Sequence, residues 1–537
     1  MSESHGSLII PLRRVTKRSI PSILIFLALC IIAGIRYWSI SHGRTFHFDE
    51  WAWVLRRNEW SVSAIFDAHN GHLSMIPAAL YLALFHTVGF AKYGAYLCLA
   101  YLAHFAVAGA LCISFAKRFG RVVGFSIGTA FLFFGGGSQN ILWSFQVGFM
   151  LSILGYLIGR SSLEDPVVRD RTLLVALILS LGSSGIGVPV FAALFVEAVA
   201  RRRRLGRLWP FAVVGSGYFI WYVVAGTSDT NFDYLRLIPK YARDSAGATI
   251  AASFDFTLDW GLVALGLLLG TFLLVRVRSR RISPASLGAV AFLSVFWILT
   301  CLSRAQFWDV GAGRYVYAAS VPMLVILSES IPRRTSSLTK YLVVTLCGLS
   351  IWATWSRMDS EGRWYKEWGQ SVAAELRALE IYRANAAFDY FPDKVRAPDI
   401  FADVYFKTTK DFRSSPAATT AEIARFSNAA RIEFDRVSLE LKAVTVTIGD
   451  PVSNECTSQT TSVGNPRIRL EKGISVVKAV DGDVVIAFRR YANRRLDVMH
   501  TIIPRGKEAR LTVLEDGINR PWFVAKASGD GQVCLTN

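Results

Sequence analysis

The sequence predicts a mainly α-helical, polytopic membrane protein: a bundle of about eleven transmembrane helices followed by a soluble α+β domain. The chain has 537 residues, of which 52% are hydrophobic, and a mean hydropathy of +0.36. Many of its apolar runs approach about 20 residues, the length that crosses a bilayer core of ~30 Å. The polar final part, roughly 180 residues, is long enough for a domain of its own.

The formal net charge of +19 does not indicate a nucleic-acid partner. Most of the basic clusters lie at the ends of apolar runs, where cytoplasmic Lys and Arg are expected. The lipid bilayer is therefore the partner that the composition predicts.

The first apolar run, Ile20–Ile40, predicts a retained transmembrane span. It is span-length, and no small-residue cleavage pattern follows it, so it does not resemble a cleaved signal peptide. Basic residues precede it, which predicts a cytoplasmic N-terminus. The later apolar runs are Leu73–Phe90, Tyr93–Ala116, Val122–Phe134, Ile141–Gly159, Thr172–Ala200, Leu208–Gly226, Leu258–Val275, Pro284–Leu302, Tyr315–Leu327 and Tyr341–Trp355.

Two of these runs are ambiguous, and charge decides between the alternatives. If Leu73–Phe90 lies against the bundle and Thr172–Ala200 forms two short helices, every basic cluster falls inside, with eleven crossings. The rival assignment reverses both choices and exposes Lys117–Arg121 and Arg160–Arg171 outside. We prefer the first assignment. The external pieces are then His42–Lys92, Gly135–Asn140, Thr227–Trp260, Ser303–Arg314 and everything after Ser356.

The predicted domains are therefore a membrane domain over residues 1–356, with its first external loop at 41–92, and an external domain over 357–537. The segment Arg363–Leu441 has helical spacing of apolar residues. Short β patterns separated by turn signals follow, and they predict a small β-sandwich. Cys456 and Cys534 lie in this polar region and suggest a disulfide, whereas the other five cysteines lie in apolar runs. The predicted strands are Ala443–Ile448, Ile474–Ala479, Val484–Phe488, Arg510–Leu514 and Trp522–Ala525.

Acidic residues and aromatic rings are mixed in the first external loop, within Thr45–Pro77. Asp49 and Glu50 lie in the motif FHFDEW, where flanking rings limit water and raise the cost of an unpaired charge. Such a carboxylate could act as a general base or hold a divalent cation. The alternative is that the pair is simply solvated in a loop.

His69 and His72 flank Asn70-Gly71 in the same loop. Two such imidazoles can share a helical face or a turn, but they lack a recognisable third and fourth ligand for zinc. Donation to phosphate or sugar oxygens is the second interpretation, and a structural role is the third.

The motif NILWSFQ opens an otherwise apolar run. Trp143 is either an interfacial anchor or part of a site. Gln146 lies within the membrane edge and needs a partner, which could be the external loop or a sugar hydroxyl.

Basic residues on the external side run against the usual charge bias. Arg314 and Tyr315 lie at the start of the run GRYVYAASVP, and Arg304 precedes this run. Lys240 lies in the external segment Thr227–Trp260. Arg314 is either a snorkelling residue at a helix end or a fork that binds a lipid-linked phosphate.

These features together resemble the GT-C superfamily of integral membrane glycosyltransferases, which use polyprenyl-phosphate sugars. The resemblance covers roughly Ile20–Trp355 and is closest to bacterial enzymes that decorate cell-envelope glycans or lipids. It implies Asp49 as the base, with Glu50 as the alternative, and Arg314 with His72 at the carrier phosphate. The chain has no second external Asp/Glu motif of the metal-dependent oligosaccharyltransferase kind, so the resemblance does not require a metal.

The expected function is inverting sugar transfer from a polyprenyl-phosphate donor to a glycan or glycolipid acceptor. The expected place is the outer face of the bacterial cytoplasmic membrane, with the C-terminal domain periplasmic. The alternative is a transporter or flippase of a lipid-linked sugar, which would use the same cavity without making a bond. No inverted internal repeat, a feature of many transporters, is visible in the sequence.

Overall fold

The computed structural model describes residues 20–536, apart from 165–169, 203, 229, 280–281, 332–335, 452–457, 461–462, 464–467, 471–472, 494–499 and 530. The described chain is mostly helical and ends in two small antiparallel sheets. This confirms the predicted mainly α fold with a C-terminal α+β region.

The α-helices of the first part are α1 (Ile20–Ser41), α2 (Glu50–Arg56), α3 (Val62–Phe66), α4 (Met75–Thr87), α5 (Gly94–Phe119), α6 (Arg121–Leu132), α7 (Ser138–Leu142), α8 (Val147–Glu164), α9 (Asp170–Leu181) and α10 (Gly187–Ala200). Those of the second part are α11 (Trp209–Ala225), α12 (Ile238–Ala252), α13 (Leu258–Ser279), α14 (Pro284–Arg304), α15 (Gly313–Ser330), α16 (Ser337–Ile381), α17 (Ala402–Phe412), α18 (Thr420–Ile423) and α19 (Asn428–Glu440). Short 3-10 helices cover Gly135–Gly137, Ser144–Gln146, Leu205–Arg207, Phe232–Leu237, Ala305–Phe307 and Arg383–Asn385.

Within the described residues, four helices are long and apolar enough to cross a membrane: Pro21–Ser41, Gly94–Phe119, Pro284–Phe307 and Ser337–Ile381. The pair Arg121–Leu132 and Gly135–Leu142, bent by 44°, would make a fifth. Other apolar runs form shorter helices, so eleven crossings stay a prediction. The described helices therefore indicate a multi-pass membrane protein, whatever the exact number of crossings.

The two ambiguous runs both form short helices. Leu73–Phe90 becomes α4, whose 13 residues span about 20 Å, less than the ~30 Å of a bilayer core. The N–H of Ile76 donates to Gly182 (2.8 Å), while the N–H of Phe90 donates to Ser414 of the C-terminal region (2.8 Å). Thr172–Ala200 is divided into α9 and α10. Both runs thus have the short-helix form of the preferred assignment. Because α9 and α10, with 12 and 14 residues, are about as short as α4, which of the three helices crosses the membrane stays a prediction.

Loops that the sequence places outside meet at one end of the bundle. The indole N–H of Trp221, near the end of α11, donates to the carbonyl of Phe66 in the first loop (2.6 Å). The side chain of Gln139, between α6 and α8, accepts from the N–H of Arg314 (3.2 Å). The first contact joins the first loop to the end of α11, and the second joins the 135–140 loop to the start of α15.

Basic clusters that the sequence places inside lie at the other end. Arg118, in the last turn of α5, pairs with Glu329 at the end of α15 (2.7 Å), and Arg160 of α8 pairs with Glu197 of α10 (3.3 Å). Because α15 carries Arg314 in its first turn and Glu329 in its last, the two groups are a helix length apart. Which end faces the cell exterior stays a prediction.

Helix α16 is continuous over 45 residues. The predicted boundary between Ser356 and Arg357 falls inside it, so the membrane bundle and the C-terminal region share one helix. Arg36 of α1 holds the middle of α16 through an ion pair with Asp359 (2.9 Å) and lies 3.3 Å from the ring centre of Trp355.

The described C-terminal strands form two antiparallel sheets, with the orders β1-β7-β4-β9-β2 and β3-β8-β5-β6. All five predicted strands are present. The turn Asp481-Gly482-Asp483 joins β4 to β5 but does not make a hairpin, because these two strands belong to different sheets. The strands are β1 (Val444–Gly449), β2 (Ser458–Thr460), β3 (Ile468–Leu470), β4 (Gly473–Ala479), β5 (Val484–Arg489), β6 (His500–Ile503), β7 (Glu508–Val513), β8 (Trp522–Ser528) and β9 (Val533–Thr536).

One buried carboxylate joins the helical and sheet parts of this region. Asp435 of α19 accepts from the backbone N–H groups of Arg490, Tyr491 and Ala492, at 2.8 to 3.0 Å. Burial raises the pKa of Asp435 to about 6, against the effect of these N–H groups. Cys456 lies outside the described residues, so its pairing with Cys534 stays a prediction.

Candidate active site

Glu50 is fully buried, and protein donors occupy both of its oxygens. The hydroxyl of Tyr81 donates to Oε1 (2.6 Å), and the N–H of His47 donates to Oε2 (2.7 Å). The hydroxyl of Tyr93 lies 3.2 and 3.0 Å from the two oxygens. Burial raises the pKa of Glu50, and these donors with Arg44 oppose the rise. This carboxylate holds the loop against α4 and α5.

Asp49 is only half-buried, and its carboxylate caps no N–H of α2. Burial raises the pKa of Asp49, whereas the nearby guanidinium groups of Arg314 and Arg304 lower it. The side chain of Asn70 lies 3.5 Å from its Oδ2. The structure therefore brings the first-loop carboxylate and the two predicted external arginines together.

Three residues of the loops around the candidate site have left-handed backbone conformations. Phe48 and Asn70 of the first loop have φ of 44° and 49°, and Trp308 of the loop before Arg314 has φ of 45°. Such a conformation is unusual for a large side chain and persists only where the surroundings require it; it occurs often at functional sites. Phe48 and Asn70 flank Asp49 on two sides of the first loop.

Arg314 lies at the first turn of α15 with its side chain 29% exposed. Its Nη1 is 3.5 Å from Oε1 of Gln139, and its Nη2 is 3.8 Å from a carboxylate oxygen of Asp309. The guanidinium also lies over the ring of Tyr315 (4.7 Å). Neither polar contact is a short bidentate pair, so the guanidinium keeps capacity to bind an anion.

Lys240 lies near the same loop. Its ammonium is 4.8 Å from the ring centre of Trp308, which follows the 3-10 helix after Arg304. The ring of Tyr241 packs on the same indole, at 5.6 Å. The 227–260 segment thus reaches the loop that leads to Arg314.

The two histidines lie on a tight turn. His69 and His72 exchange both backbone hydrogen bonds (3.0 Å each), and Asn70 and Gly71 both have positive φ. Asn-Gly is the preferred pair for such a two-residue hairpin. His69 packs on Trp53 and Phe145, and burial lowers its pKa to about 4.

The histidines therefore differ: the His69 ring is packed inward, whereas the His72 side chain is exposed. Among the described residues, no group of three or more His, Cys, Asp or Glu side chains could hold a metal ion.

Trp143 and Gln146 are both buried. The ring of Trp143 meets that of His47 at 5.0 Å, which places Trp143 in the wall of the site. Nε1 of Trp143 and Oε1 of Gln146 have no hydrogen-bond partner among the described residues.

Sequence reasoning missed several residues of this wall: Arg44, His47, Trp364, Tyr365 and Trp368. The first two precede the acidic pair in the same loop. The last three lie on α16, and the Trp364/Trp368 spacing of four residues is the available signal, because it puts both rings on one helix face.

Comparisons with known proteins add little to this geometry. No family model matches the chain, and no curated protein matches it. Among solved structures, ArnT from Cupriavidus metallidurans in the apo state aligns with a TM-score of 0.42 and 11% identity, over 70% of this chain and 82% of that chain. A similarity this distant carries no functional conclusion.

We expect Glu50→Ala to destabilise the protein, because it removes the acceptor of the buried Tyr93 hydroxyl and His47 N–H and leaves Tyr81 with the Ser144 hydroxyl alone. Each unpaired buried group costs about 1–3 kcal/mol. The measurement is the Tm of the detergent-purified protein. Glu59→Ala, at an exposed carboxylate of the same loop, is the control and should leave the Tm unchanged; equal melting of all three proteins would contradict the anchoring role.

Proposed function

We propose that this protein is an integral membrane glycosyltransferase of the GT-C type. It would move a sugar from a polyprenyl-phosphate donor to a hydroxyl of a cell-envelope glycan or lipid, at the outer face of the bacterial cytoplasmic membrane. The observation that supports this most is the half-buried carboxylate of Asp49 beside Arg314 and Arg304.

The two neighbouring acids then have different roles. Glu50 has protein donors on both oxygens, so it positions the loop. Asp49 has one long polar contact among the described residues, to Asn70 (3.5 Å), and is the proposed general base. Burial raises its pKa, which makes it a better proton acceptor than an ordinary aspartate.

The proposed reaction is a single displacement. The acceptor oxygen forms a bond to the anomeric carbon, the bond from that carbon to the phosphate oxygen breaks, and Asp49 takes the hydroxyl proton. A phosphate leaves far more readily than an alkoxide, so the second carboxylic acid that glycosidases use is unnecessary. Arg314 and Arg304 would stabilise the charge of the departing phosphate, and the anomeric configuration would invert.

His72 and Lys240 are the further proposed contacts to the donor phosphate. His72 is exposed on the hairpin that also carries Asn70. The ammonium of Lys240 lies over the ring of Trp308, and Trp308 belongs to the loop between Arg304 and Arg314. A divalent cation is not needed for this mechanism, since the arginines supply positive charge.

The transporter alternative has less support. It calls for ionisable groups along a path through the bundle. Glu197 is bound by Arg160 (3.3 Å) and Arg201 (2.6 Å) at the basic end. His104 is bound to the hydroxyl of Tyr317 (3.0 Å). Both groups have partners that account for their burial.

We expect Asp49→Asn to reduce sugar transfer by ~100- to 10,000-fold, because the amide cannot accept the proton. The assay is incubation of the purified protein with radiolabelled polyprenyl-phosphate sugars and an envelope extract. Asp67→Asn, at an exposed acid of the same loop, should keep wild-type activity. Full activity of Asp49→Asn would assign the base elsewhere.

We also expect the acid limb of the kcat/KM profile to lie above pH ~3.9, the ordinary value for aspartate. Burial raises the pKa of Asp49, and the protonated carboxyl cannot act as base, so activity falls as the pH drops through that raised pKa. Asp49→Glu should move the limb. A rate that stays constant down to about pH 4 contradicts this assignment.

Arg314→Ala should raise the KM for the donor roughly ten- to a hundredfold, the effect of losing a hydrogen bond to a charged group. The KM for the acceptor should hardly change. The matched control is Arg243→Ala, at an arginine with a 57% exposed side chain in the separate external segment Thr227–Trp260. Equal losses for donor and acceptor would argue against a phosphate role.

A further inference from the structure

The external half of α16 carries three aromatic side chains that surround His47 of the first loop. The ring of His47 lies 5.6 Å from that of Trp364, 4.9 Å from that of Tyr365 and 5.3 Å from that of Trp368. Trp143 closes the fourth side, at 5.0 Å. The imidazole thus lies among four rings, next to the motif that carries Asp49.

Part of this cluster is open to solvent. Trp364 is 47% exposed and Phe48 is 40% exposed, although the rings of both lie within 6.5 Å of that of His47. Trp364 and Trp368 lie 4.8 Å apart. We call the surface formed by Phe48, Trp364 and Trp368 the aromatic ledge.

Anchoring at the membrane interface explains Trp352 and Trp355 of α16 better than it explains the ledge. Trp355 lies where the apolar run ends, beside Arg36. Trp364 is nine residues further on, about 13 Å along the helix axis. Interfacial tryptophans lie at headgroup level, whereas this ring lies above Trp355, among the residues of the first loop.

The ledge borders the proposed active site. Phe48 directly precedes Asp49 and has a left-handed φ of 44°. Tyr365, next to Trp364 on α16, lies under the guanidinium of Arg44 (5.1 Å) and within electrostatic reach of Arg314. The ledge therefore lies beside both Asp49 and a proposed phosphate-binding arginine.

Polar atoms beneath the ledge lack partners. His47 is 6% exposed, and its Nδ1 has no hydrogen-bond partner among the described residues. The same holds for Nε1 of Trp368 and of Trp143. Burial, with a smaller contribution from Arg44, lowers the pKa of His47 to about 3, so the imidazole is neutral. Apolar faces above polar atoms are the usual lining of a site for a ligand that has both.

We propose that the aromatic ledge binds a sugar ring of the acceptor. One face of a pyranose is lined with C–H groups, which are attracted to the negative face of an aromatic ring, while its rim of hydroxyls stays free to bond polar groups of the adjacent first loop. This inference rests on the proposed transferase function. It makes the acceptor a glycan or glycolipid headgroup, in place of a lipid hydroxyl alone.

Binding tests the ledge directly. The full-length Asp49→Asn protein in detergent is titrated, by saturation-transfer NMR, with oligosaccharides released from envelope glycolipids by mild acid. Trp364→Ala in that background should weaken binding about five- to tenfold, the loss of one aromatic contact. Trp364→Phe, which keeps a ring, should stay within about twofold of the parent.

Trp352→Ala is the matched control, at a 78% exposed tryptophan in the apolar part of the same helix, and should bind as the parent does. Unchanged affinity of Trp364→Ala, an equal loss in Trp352→Ala, or no binding by the parent protein would each overturn the proposal. Transfer is scored separately: a wild-type protein that cleaves no donor refutes the transferase function, whereas the NMR titration decides the ledge.

Discussion

The architecture of the site depends on the buried carboxylate of Glu50. A carboxylate with no exposure to water is costly unless its oxygens are hydrogen-bonded, and here Tyr81, Tyr93 and the N–H of His47 supply those bonds. These contacts attach the first loop to α4 and to the start of α5. With Glu50 directed inward, its neighbour Asp49 faces the arginines of the loops before and at the start of α15. If the acidic pair were simply solvated in a loop, nothing would specify the direction of either side chain.

Helix α16 is the second constraint. It crosses from the apolar bundle into the C-terminal region without a break, and α1 holds it through Arg36 and Asp359. The helix therefore supplies one wall of the candidate active site and also carries the C-terminal domain. Movement of that domain would be felt at Trp364 and Tyr365, because a helix transmits displacement along its axis. This gives the C-terminal domain a physical connection to the site even without contacting substrate.

Much of the local structure could be predicted from the sequence. The apolar runs, the break between α9 and α10, and the five main strands all follow from local composition and spacing. Two further features depend on contacts that local patterns cannot decide. The predicted domain boundary at Ser356 lies where the apolar run ends, and the structure continues helix α16 across it, held by Arg36 of α1. The order of the strands is the second, because β4 pairs with β7 and β9, which lie far along the chain, and not with β5.

The sequence by itself determined that acidic, aromatic and basic side chains would gather beside an apolar bundle, since hydropathy and charge bias act over neighbouring residues. Only the tertiary structure decided which acid faces the cations and which rings surround the loop. Asp49 and Glu50 are adjacent and chemically alike, so no pattern separates them. Their difference comes largely from distant partners, such as Tyr81, 31 positions from Glu50, and Arg314, 265 positions from Asp49, and from burial that only packing creates.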